Sequence, residues 1–85
     1  MTSEMTFNQW KTLTMYKLVS LAQKYRDDRK KSTTLNALIT KLHHLRSRDL
    51  ATFLSLLYHA SIDVPEVLDL IPSQRQSEKF FEEGE

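Results

Sequence analysis

Cysteine is absent and glycine occurs once, and these two scarcities narrow the function of this 85-residue chain more than any motif it carries. Without cysteine there is no disulfide framework and no thiolate metal site. The lone glycine is Gly84, so the first 83 residues have none. Phosphate-cradling loops, nucleophile elbows, dinucleotide turns and tight hairpins all use backbone that glycine alone adopts cheaply. Nucleotide-dependent and hydrolytic chemistries are therefore disfavoured, and so is a β-rich fold. No stretch approaches the ~18 uninterrupted apolar residues of a membrane span. Met1 to Trp10 lacks the basic cap and apolar run of a signal peptide, so a cytoplasmic protein is expected.

Metal and acid–base signatures are missing as well. No His-x-x-x-His or Glu-x-x-His pair occurs. His43 and His44 are adjacent, which on a helix points them about 100° apart. His59 stands four residues before Asp63, but that aspartate suits a helix cap better. No inward carboxylate pair suggests glycoside hydrolysis. The expectation is no catalytic residue, no metal ligand, no cofactor and no enzymatic activity.

What the chain does have is charge sorted along its length. Met1 to Arg48 holds ten Lys or Arg against Glu4, Asp27 and Asp28, a net +7. Asp49 to Glu85 holds Arg75 and Lys79 against eight acids, a net −6. The overall +1 hides a strong dipole in the sequence. A basic half attracts phosphate or acidic protein surface, and an acidic half attracts basic surface or the chain's own other half.

The apolar spacing is helical throughout. Thr6-Phe7-Asn8-Gln9 fits a capping box, with Met5 and Trp10 as a hydrophobic staple. Phe7, Trp10, Thr14, Leu18, Leu21 and Tyr25 then share one stripe, widened by Met15, Val19 and Ala22, to about Tyr25 or Arg26. Ser32-Thr33-Thr34 offers caps for a second helix with its apolar face at Leu35, Leu38, Ile39, Leu42 and Leu45. Extending that helix would bring Arg46 and Asp49 into the stripe, so a break is expected with Ser47 as the new cap. The third helix, about Arg48 to Ala60, has no charge from Leu50 to Ile62 and is apolar nearly all round. Asp63-Val64-Pro65-Glu66 combines a cap, a first-turn proline and a capping-box glutamate for a fourth helix, ended by Pro72.

These elements predict an all-α fold, a compact bundle of four short helices, with residues 1–72 as a single helical domain. Residues 73–85 read as either a short fifth helix capped at Ser73 or a flexible acidic tail. Such a domain has one small core, burying roughly 60–65% of the unfolded surface. A helix apolar nearly all round must be covered nearly all round, which points to a homodimer through the uncharged central helix.

Two functions fit. The first is a non-enzymatic regulatory or adaptor protein that docks on a protein partner through a charge-segregated bundle. Its interface residues would be Leu54, Leu56, Tyr58, Phe80 and Phe81. The alternative is a nucleic-acid-associated protein that grips phosphate through the basic half. Lys24, Arg26, Arg29, Lys30, Lys31, Lys41, Arg46 and Arg48 would make the contact with either partner. A helix-turn-helix made of the third and fourth helices, joined by Ser61-Ile62-Asp63, is excluded, because Pro65 to Ile71 carries Glu66 and Asp69 but no Arg, Lys, Asn or Gln.

Overall fold

The first helix, α1 (Phe7–Lys24), begins where the sequence predicts. The Gln9 amide donates to Thr6 Oγ1 at 3.1 Å, and the Thr6 amide donates to Gln9 Oε1 at 2.9 Å. Phe7, Trp10, Thr14 and Leu18 form its buried stripe, with Leu21 and Tyr25 half-buried. The computed structural model describes residues 5–83 and is all α, with four α-helices and two 3-10 segments and no strand among those residues.

Helix α2 (Arg29–His43) starts three residues before the Ser32–Thr34 caps predicted for it. Its cap is Asp28, whose Oδ1 accepts from the Lys31 amide at 3.1 Å. The reason is the short connection. Only Tyr25 to Asp28 separates the two helices, and Asp28 is its last extended residue. Ser32, Thr33 and Thr34 then lie inside the first turns. Leu35, Leu38 and Leu42 face α1, the main packing partner of α2.

The break after Leu45 is present, as a 3-10 turn at Ser47–Asp49 that leads into α3 (Leu50–Ala60). Ser47 does not cap it. No side chain caps either element, and the turn is held by the Asp49 amide on Arg46 O at 2.9 Å. Lys11 of α1 donates to Leu45 O at 2.9 Å, which satisfies a carbonyl freed by the break.

The fourth predicted helix is a 3-10 segment, Pro65–Leu70, rather than an α-helix. Pro65 takes the first-turn position, but the Asp63–Glu66 capping box does not form. Both acids are engaged elsewhere, by side chains from the basic half. Val64, Val67 and Leu70 are buried, and Trp10 Nε1 donates to Leu70 O at 2.9 Å.

Of the two readings of residues 73–85, a helix is what the structure describes. Helix α4 (Gln74–Glu83) has Ser73 Oγ accepting from the Gln76 amide at 3.1 Å, and Gly84 and Glu85 lie outside the described residues. It closes over the start of α1. Gln76 Nε2 donates to Met5 O at 2.6 Å, and Glu83 Oε2 accepts from the Phe7 amide at 3.0 Å. Phe80 completes an aromatic cluster, 5.7 Å from both Phe7 and Trp10, while Trp10 stands 6.2 Å from Phe53.

Candidate functional site

The basic residues split between the two ends of α2. At its start, three lysines close on the segment Asp63–Glu66. Lys24 lies 3.1 Å from Glu66 and Lys30 lies 3.3 Å from Asp63. Lys31, half-buried, donates to Asp63 O at 2.6 Å. Tyr25 sits between them, with the Lys24 and Lys31 ammonium groups 5.2 Å and 5.4 Å from its ring centre. Its hydroxyl donates to Glu66. Arg26 and Arg29 are exposed there and form no ion pair among the described residues.

That network sets the protonation of Glu66. The Tyr25 hydroxyl, with help from its own backbone amide and from Lys24, holds the carboxyl down at about 2, against an ordinary 4.5. The same bond pushes the Tyr25 phenol up, and the separate bond from Lys24 to Glu66 pushes the ammonium up.

Lys41, Arg46 and Arg48 stand at the other end of α2, exposed and without an ion pair among the described residues. Lys31 and Lys41, the nearest members of the two groups along α2, are ten residues apart, about 15 Å along the helix axis. They do not form one continuous basic strip.

Between α2 and α3 runs an open groove. Two adjoining depressions of about 390 Å³ and 310 Å³ share Lys41 and Leu56. Leu45, Phe53 and Leu56 line the first, Leu38, Leu56 and Ala60 the second. Lys41, His44, Asp49 and His59 are exposed along its rim, and the half-buried Asp63 lines its second depression. The His43 and His44 rings meet edge to face, with centres 5.0 Å apart. No three His, Asp or Glu side chains among the described residues converge as a metal site requires.

The predicted interface residues fare differently. Phe80 is fully buried in the core, so it is not a partner contact; its neighbour Phe81 is 39% exposed. The helical register of α4 turns one inward and leaves the other outside. Leu54 and Leu56 are half-buried and Tyr58 is 57% exposed. The covering expected for α3 comes from its own chain on the side of Leu50, Phe53, Leu57 and Ala60.

Sequence reasoning missed Ile62, 76% exposed, and the outer face of α1, where Leu13, Tyr16 and Val19 stand in solvent. Val19 is not part of the core stripe, and Met15 is half-buried. The signal was available, because no charged residue occupies that side of α1. No helix of the described residues is long and apolar enough to cross a membrane. No family model matches the chain, and neither a curated protein nor a solved structure gives a match.

Proposed function

We propose that this chain is a small docking module that acts by binding another protein rather than by catalysis, and that the α2/α3 groove receives an amphipathic helix of the partner. One observation carries the reading: the half-buried Leu56 lines a trough over the buried Leu38 and Leu45, beside the ammonium of Lys41, which has no ion pair among the described residues. A trough between two helices is the shape that a third helix fills, with anchors one turn apart. Lys41 favours a partner helix with an acid next to its apolar anchors. The alternative, phosphate contact through the basic half, loses support because Lys24, Lys30 and Lys31 are already engaged by Glu66 and Asp63.

Selection of displayed helical peptides against the protein tests this reading. Enriched sequences are expected to carry apolar residues at i, i+3 or i+4, and i+7 with an adjacent acid. Leu56→Glu and Lys41→Glu should each weaken their binding about tenfold or more, a loss of ~1.4 kcal/mol. Tyr16→Glu should leave it unchanged. No enrichment, or enrichment indifferent to both groove variants, would sink the proposal.

A further inference from the structure

One exposed stripe of α1 is free of charge, in a chain with 27% charged residues. At 100° per residue, Asn8, Thr12, Met15, Tyr16, Val19 and Gln23 fall on one outward stripe. Tyr16 is 72% exposed and Val19 40%. The three lysines of α1 lie off this stripe: Lys11 reaches Leu45 O, Lys24 reaches Glu66, and Lys17 lies beside Glu66 and Asp69. A groove of about 570 Å³ opens along the stripe, lined by Thr12, Met15, Tyr16 and Val19 with Lys11 and His43 at its edge. Positions 12, 15, 16 and 19 are i, i+3, i+4 and i+7, the four corners of a hole in knobs-into-holes packing.

The stripe is also self-complementary when reversed. About a point midway between Met15 and Tyr16, Asn8 falls opposite Gln23, Thr12 opposite Val19, and Met15 opposite Tyr16. Amide meets amide, β-branched meets β-branched, and a thioether meets a ring. An isologous two-fold contact sets each charge near its axis against its own copy, so an uncharged, reversible stripe is the surface that suits it. Lys11, the nearest cation at the edge, would stand roughly 13 Å along the axis from its copy, beyond the ~8–10 Å screening length.

From these observations we infer that two copies of the chain pair through α1, antiparallel, with the two-fold axis between Met15 and Tyr16. Each Tyr16 then enters the Thr12–Val19 hole of the other copy. The α2/α3 groove stays open in this dimer, and the pairing does not depend on what that groove binds. A single pair of helices buries less than the ~1,200 Å² of standard interfaces, so association in the micromolar range is expected.

The absence of cysteine makes the test clean, since introduced thiols are the only ones present. Thr12→Cys and Val19→Cys chains, mixed and oxidised by air, should form the mixed disulfide in large excess over either same-residue disulfide. Same-residue Cα atoms would lie roughly 10 Å apart along the axis, outside the ~7 Å reach of a disulfide. In sedimentation over a concentration series, Tyr16→Glu should raise the dimer dissociation constant about tenfold or more with unchanged helical circular dichroism. Three results would overturn the inference. One is a monomer at every concentration; another is preferential same-residue disulfides. The third is dimerisation blocked by Tyr58→Glu and not by Tyr16→Glu, which would move the self-contact to α3. A monomer whose peptide binding is lost in Tyr16→Glu would instead give this face to a different protein.

Discussion

At the start of α2, Lys30 and Lys31 are held by Asp63, and across the turn Lys24 is held by Glu66; at its end, Lys41, Arg46 and Arg48 form no ion pair among the described residues. The two ends have similar composition and different use. The acidic half of the chain folds back to form ion pairs with one cluster of cations and forms none with the other among the described residues. Part of the charge segregation is therefore consumed inside the molecule, where it fixes the 3-10 segment against α1 and α2. Both ion pairs involve well-exposed lysines, so their value lies in orientation and charge cancellation more than in stability.

The contrast can be broken most severely at the unpaired end, where α4 packs on the Ser47–Asp49 turn. Phe80→Ala should cost ~3–5 kcal/mol, read as a lower urea midpoint, because it empties a fully buried aromatic site. Phe81→Ala should cost far less, and equal losses would refute the inward assignment of Phe80.

The paired end is sharpened by acid. A carboxyl held at about 2 in the folded state and near 4.5 when unfolded stabilises the fold above the higher value. That contribution disappears as pH falls from about 4.5 toward 2. Thermal unfolding of Glu66→Gln should lack this part of the acid dependence, while the parent shows it. An identical slope in both proteins would show that the Tyr25–Glu66–Lys24 contact does not persist in solution.

The smallest effect compares the two ends directly on a cation exchanger. Arg46→Ala with Arg48→Ala should elute at clearly lower salt than the parent. Lys24→Ala with Lys30→Ala should shift less, since each of those removals also uncovers an acid. The reverse order would mean that the intramolecular pairs do not mask the lysines.

The helices themselves were legible in the sequence because their signals are local. The Thr6–Gln9 box, the Phe7-to-Leu18 stripe and the charges that interrupt the leucine face at Arg46 and Asp49 lie within a few turns of what they determine. The misreadings share one cause. Asp63 and Glu66 have the spacing of a capping box, but Lys30, Lys24 and Tyr25 reach them from more than thirty residues away. Phe80 and Phe81 are equivalent in composition until α4 is docked on Phe7 and Trp10. Leu38 and Leu45 read as the apolar face of the second helix, and Leu56 as an interface residue of the third. Only the placement of α2 beside α3 brings these residues to one trough. The uncharged side of α1 is different: Thr12, Tyr16 and Val19 recur at helical spacing, so it is a local property of the sequence.

The bond between the Phe7 amide and Glu83 joins residues 76 positions apart, and Phe80 is what covers Phe7 and Trp10. During synthesis the first aromatic pair is therefore made early and enclosed last. At ~5–20 residues per second, the ribosome takes several seconds between adding Phe7 and adding Phe80. Through that interval the α1–α2 hairpin must persist with one end unsealed, in reach of chaperones. The pace at which the 73 residues after Phe7 up to Phe80 are added thus sets the shortest time for which this aromatic pair stays uncovered.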